Sequence, residues 1–245
     1  MPRSVHQSSA GRRPARRAGR PPLTVADIMR RLSAEYGPVT APRRWDPVSE
    51  LVYTVLSQHT SDANSTRACA SLRAAFPAWE DVLEADSERL AEAIWAGGLA
   101  RVKAPRIKAI LQAIKDKRGR LELDFLRDMS VPDARAWLRQ LPGVGPKTAG
   151  CVLLFALDKP AMVVDTHVHR VAKRLGLLYA RCTAEQAHDV LETLAPPESY
   201  LPFHIYLITH GRRVCKAQRP RCEACVLENG CPSSTLPTTQ RRGAS

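Results

Sequence analysis

The chain has 245 residues, 44% of them hydrophobic, and carries 37 Lys and Arg against 24 Asp and Glu, a net charge of +13. That length holds one large or two small domains with packed cores, and the charge favours a polyanionic partner, nucleic acid before an anionic membrane surface. The apolar run at residues 151–157 is far short of a bilayer span, and the N-terminus lacks the apolar stretch of a secretory signal. A cytoplasmic, nucleoid-associated protein with no membrane role is therefore expected.

Residues 1–22 contain six arginines and no acid. With their Pro, Ser and Gly they read as a disordered basic arm drawn to phosphate, though the same composition fits an organelle transit peptide. Beyond the arm the spacing of apolar residues is helical almost throughout and no alternating strand stands out, which predicts an all-α protein of about ten short helices. Residues 23–37 place Ile28, Leu32 and Tyr36 at helical intervals and stop at Gly37-Pro38. Residues 46–62 form an apolar helix that turns polar at its end, and residues 64–76 repeat the pattern before "FPAW" breaks it.

Residues 86–98 open with Ser/Glu capping chemistry and end at two glycines. Residues 102–119 put Ile107, Ile110, Leu111 and Ile114 on one face, and residues 131–145 run into "LPGVGPKTAG". Further helices are expected at 167–178, 183–195 and 200–215, and the tail from Ser233 reads as disordered. No internal repeat is present.

Three segments carry chemistry. In "LPGVGPKTAG", Gly143 and Gly145 allow positive φ and close backbone approach, and Pro146 suits the first position of a helix. Such a hairpin is either a plain turn or a phosphate dock. Lys147 then falls in the first helical turn, where the macrodipole and an apolar, buried helix both disfavour an ammonium. A lysine partly present as free amine is a nucleophile for carbon centres; otherwise its charge snorkels out to phosphate.

Eighteen residues on, Asp165 in "MVVDTHVHRV" suits a helix N-cap, or a carboxylate stabilising positive charge at a sugar carbon as a glycosidic bond breaks. Cys215, Cys222, Cys225 and Cys231 are spaced C-x6-C-x2-C-x5-C, four of seven cysteines within 17 residues. Crowding without an export signal favours metal over disulfides, and spacing alone leaves zinc and an iron–sulfur cluster open. Cys69, Cys151 and Cys182 read as ordinary buried thiols.

The hairpin lysine, the "VVDTHVHRV" segment and the four-cysteine tail together resemble endonuclease III, the iron–sulfur branch of the helix-hairpin-helix DNA glycosylases. The resemblance runs from about residue 23 to 232. It implies a six-helix barrel over residues 43–159 and a cluster domain from residues 23–42 with 160–232, a DNA cleft between them, and a monomer acting on duplex DNA that holds a damaged base or an abasic site. It implies a [4Fe–4S] cluster on the four cysteines, and a bifunctional glycosylase and abasic-site lyase that removes oxidised pyrimidines.

On that reading Lys147 attacks C1′ of an extruded nucleotide to form a Schiff base, and β-elimination cuts the strand 3′ to the lesion. Asp165 matches the catalytic aspartate, and His167 supports it structurally. Leu99, in a segment similar to the family's "GLYNSKA", is the apolar wedge or else a core leucine. The void left by the flipped base falls to Gln58 or His59, since "LSQHTSD" departs from the family's "LSAQATD". Lys216, Arg219 and Arg221 form a cationic loop suited to the DNA backbone, which Arg212 and Arg213 extend. Thr54, where the adenine-specific relatives need Glu, argues against that branch. Lys147 argues against the mismatch thymine branch, which has tyrosine there, and the cysteine tail against the 8-oxoguanine branch. A non-catalytic DNA-binding module is the alternative from a different class.

Overall fold

The computed structural model describes residues 23–40 and 45–236, and among these every regular element is helical. The basic arm and the tail beyond residue 236 lie outside the described residues. No helix among them is long and apolar enough to cross a membrane. The chain divides into two compact units, residues 40–163 and the two flanking segments up to 39 and from 164.

The central unit begins with α2 (Pro47–Leu56), which Asp46 caps through the Ser49 amide at 2.9 Å. The expected helix ran to residue 62. It stops at Leu56 because the Ser57 hydroxyl donates to the Thr54 carbonyl at 2.9 Å, and because His59 takes a left-handed φ of 54°. Ser61 then caps α3 (Asp62–Ala75). A short helix, α4 (Trp79–Glu84), forms where "FPAW" predicted only a break, held by Asp81 accepting the Ala78 amide at 2.8 Å. Six residues are too few to show a helical period.

α5 (Ser87–Ala93) ends in a 3₁₀ turn, and α6 (Ala100–Arg118) starts two residues earlier than expected, from Leu99 in a left-handed conformation. After a 3₁₀ turn at Asp124–Arg127 comes α7 (Val131–Leu138), capped by Ser130. The hairpin leads into α8 (Pro146–Cys151), which continues as a π-helical turn over Val152–Ala156. Leu51, Val55, Leu56, Ile107, Ile110 and Val152 are among the residues that pack one continuous apolar core. Each large aliphatic side chain buried there contributes on the order of 1.5–3 kcal/mol.

The flanking unit joins the first helix to the end of the chain. α1 (Val25–Tyr36) opens on a reciprocal cap, the Thr24 hydroxyl and Asp27 carboxylate each satisfying the other's amide, and stops at Gly37 with φ 78°. α9 (Thr166–Arg174), α10 (Ala184–Leu194) and α11 (Tyr200–Arg213) follow, with α11 packed on both α9 and α1. Phe203, Leu207, Val168, Ile28 and Leu32 are buried. The cysteine loop closes the unit.

Candidate active site and cysteine loop

The hairpin between α7 and α8 uses its two glycines differently. Gly143 has φ 68°, and a Cβ there would strike the Arg106 guanidinium. Gly145 does not adopt the positive φ expected of it. Its φ is −90°, and a Cβ would meet nothing within 4 Å, so it leaves open space at the start of α8. Arg106 of α6 donates to the Gly143 carbonyl at 2.7 Å and to Gln58 Oε1 at 3.0 Å. One guanidinium thus ties the hairpin to the segment after α2, leaving His59 exposed beside an engaged Gln58.

Lys147 is the second residue of α8 and half-buried, while Thr148, Ala149, Gly150 and Cys151 behind it are buried. Cys151 stands one helical turn on from Lys147, on a helix that packs against α2. Burial in an apolar core raises the Cys151 thiol above its ordinary range. From α2, Thr54 donates to Glu50 Oε1 at 3.3 Å. Burial pushes the Glu50 carboxyl up to about 7, against the opposing pull of the Thr54 hydroxyl and the Lys147 charge. Cys151 is a free buried thiol, as expected, and Glu50 is a half-buried acid that nothing in the motif announced. Its only trace in the sequence is a charge inside the apolar run "DPVSELVYTVL".

Leu99 is 55% exposed at φ 50°, so it is no core leucine, and Trp95 and Val102 stand exposed beside it in sequence. A non-glycine residue in this region costs on the order of 1–2 kcal/mol. The turn is anchored by Lys103, whose buried ammonium donates to the carbonyls of Leu56 at 2.7 Å and Gly97 at 2.8 Å. Burial lowers the pKa of this lysine. Lys103 and Arg106, one helical turn apart, therefore fix the three loops that carry Leu99, Gln58–His59 and the hairpin.

Asp165 caps α9, its Oδ1 accepting the Val168 amide at 2.7 Å. His167 Nδ1 lies 3.1 Å from the Arg170 guanidinium, which also donates to the carbonyls of Cys215 at 3.1 Å and Gly211 at 2.9 Å. Arg174 holds the same loop by the Cys215 sulfur at 3.3 Å and the carbonyls of Lys216 and Ala217 at 2.6 and 2.9 Å. The start of α9 and the cysteine loop are thereby one hydrogen-bonded assembly.

Cys215, Cys222, Cys225 and Cys231 are free thiols lining one cavity with Val171 and His210. His210 Nε2 sits 3.3 Å from the Cys225 sulfur, and its Nδ1 is 2.9 Å from the Tyr36 hydroxyl of α1. Burial holds His210 down to about 4, and burial with the three neighbouring cysteines pushes Cys225 up to about 12. A thiol so placed ionises only beside a cation, which is the chemistry of a metal-binding donor set. Among the described residues no three His, Cys, Asp or Glu side chains are gathered for a single metal ion. Lys216, Arg219 and Arg221 are exposed on the loop, as are Arg212 and Arg213 before it.

Residues 52–197 match the model of the HhH-GPD superfamily of base excision DNA repair proteins. The chain is 44% identical over 185 residues to a candidate DNA glycosylase of Arabidopsis thaliana, At3g47830, covering 74% of this chain and 63% of the plant protein. It is 39% identical over 186 residues to endonuclease III of Thermotoga maritima, covering 76% of this chain and 83% of that enzyme. A solved structure of a trapped endonuclease III–DNA covalent intermediate superposes with a TM-score of 0.74 at 31% identity, covering 86% of this chain and 97% of that one.

Proposed function

The chain belongs to the HhH-GPD superfamily of base excision DNA repair proteins, as a DNA glycosylase and abasic-site lyase of the endonuclease III type, and from that premise we propose that it excises oxidised pyrimidines through a covalent Lys147 intermediate. The observation that carries this reading is Lys147 itself: a half-buried lysine at the head of α8, directly behind an open glycine hairpin. The covalent protein–DNA intermediate named for the 31%-identical structure supports it.

In the proposed reaction the Lys147 amine attacks C1′ of an extruded nucleotide, and the base departs with the glycosidic electron pair. The C1′–O4′ bond then opens, its pair leaving on O4′ with a proton, to give a Schiff base that acidifies the 2′ proton, and removal of that proton expels the 3′ phosphate by β-elimination. Asp165 stabilises the positive charge that develops on the sugar. The hairpin at Gly143 and Gly145 receives a backbone phosphate. Leu99 enters the stack as the base leaves it. His59 fills the void, because it is exposed while Gln58 is held by Arg106. Lys216, Arg219 and Arg221 contact the duplex backbone.

Cys215, Cys222, Cys225 and Cys231 would hold a [4Fe–4S] cluster, whose contribution here is to brace the basic loop. Four thiols around one cavity, in the spacing shared with endonuclease III, support that reading.

The test is a duplex with one abasic site, incubated with the protein and borohydride. A reduced covalent adduct is expected, absent in Lys147→Ala and formed about 10²-fold more slowly in Asp165→Asn. An adduct that survives Lys147→Ala would sink the proposal. A side-by-side panel of thymine glycol, dihydrouracil, uracil and abasic duplexes then fixes the lesion class.

A further inference from the structure

The proposed reaction leaves one half-buried acid, Glu50, without a task. A lysine enters that reaction as an ammonium, which has no lone pair for C1′, so its proton must go somewhere before attack. The route out of the site to solvent is not the only one on offer. Behind Lys147 a line of polar side chains leads from α8 to α2: Cys151 stands one helical turn on from Lys147, and Thr54 of the packed α2 donates its Oγ1–H to Glu50 Oε1 at 3.3 Å. Its members come from helices that pack on each other, and it ends on a carboxylate inside an otherwise apolar stretch of α2.

Resting on the reading of Lys147 as nucleophile, we propose that Glu50 is the positioning residue that takes the Lys147 proton and so controls how much free amine faces the sugar. The Nζ–H bond breaks, its electron pair stays on nitrogen to form the bond to C1′, and the proton forms an O–H bond on the Glu50 carboxylate. The departing base takes the glycosidic pair and a proton from solvent. Glu50 gives its own proton back to solvent, and the carboxylate is regenerated. Hydrolysis of the Schiff base later restores the ammonium from water.

The groups that face Glu50 fit the role. α8 contributes Lys147 and Cys151, and α3 contributes Cys69, itself influenced by Arg73. The buried cation of α6, Lys103, is engaged on the carbonyls of Leu56 and Gly97 at the other end of α2. Lys147 is thus the cation that acts on Glu50. Its carboxyl, at about 7, is poised to exchange a proton at neutral pH.

The experiment is single-turnover borohydride trapping of the full-length, cluster-containing protein on an abasic duplex, between about pH 5.5 and 9.5. The wild type is expected to rise through a midpoint near 7, where the pair loses its first proton, and then to level off. Glu50→Gln is expected to be about 10²-fold slower at pH 7 and to climb about tenfold per pH unit without levelling, because solvent must now deprotonate the lysine. Glu50→Asp should restore the plateau, and both variants should bind a reduced abasic-site duplex within about twofold of wild type. A Glu50→Gln profile identical to wild type, or lowered in parallel at every pH, overturns the proposal. Should Glu50→Gln fail to fold, a wild-type profile flat from about pH 6 to 8 does the same. These outcomes differ from failure of the nucleophile reading, which shows as no adduct in the wild type or an adduct retained in Lys147→Ala.

Discussion

At the scale of single residues, the site places ionisable groups where their charge is costly. For Glu50 the sign of the consequence can be worked out. Its folded pKa of about 7 lies above the usual 4.5, so between those values the folded chain holds more protons than the unfolded one. Stability therefore falls as pH rises through that window and levels off above it, by up to about 3 kcal/mol for the full shift. Glu50→Gln cannot ionise and escapes the loss. Urea unfolding should show the variant matching wild type near pH 4 and exceeding it by about 1–3 kcal/mol at pH 8. Equal stability at both pH values would rule out a raised Glu50 pKa. Together with the slower trapping expected of the same variant, this is a trade of stability for chemistry at one position.

At the scale of elements, the informative feature is how α6 begins. Leu99 keeps a left-handed backbone and an exposed apolar side chain, so neither conformation nor burial explains a leucine there. Leu99→Gly should gain about 1 kcal/mol in thermal unfolding by relieving the backbone. It should also slow excision from an intact damaged pair about tenfold, because the wedge is gone. Unchanged excision would return Leu99 to an unexplained surface residue. The helices themselves were legible wherever apolar residues recurred every three or four positions over two turns, as from Ile107 to Ile114 at α6 and from Val168 to Leu175 at α9. The six-residue α4 was not, and the stop of α2 at Leu56 depended on a left-handed His59 that composition does not reveal. Site residues divide similarly. Lys147, Asp165 and the four cysteines stand in local motifs. Lys103 and Arg106 gain their meaning from partners 47, 48 and 37 positions away, which one-dimensional spacing cannot show.

At the scale of the whole molecule, the +13 charge makes affinity for DNA a function of salt. Replacing Lys216, Arg219 and Arg221 together with Gln should lower the slope of log Kd against log salt by about 2–3, one phosphate contact per cation. A slope unchanged by the triple variant would leave these three as solvated charges. The flanking unit also has a consequence for how the chain is made. A side chain at Gly230 would collide with Leu23, Arg31 reaches the Val226 carbonyl at 3.3 Å, and Tyr36 meets His210 across 174 residues of sequence. α1 therefore leaves the ribosome about 174 residues ahead of part of its packing surface. At 5–20 residues per second, α1 waits about 10–35 s with Ile28 and Leu32 uncovered, while the central unit can already complete its own core. Synthesis itself thus sets an order of assembly, in which the cysteine loop can take its place against α1 only after the whole central unit has been made.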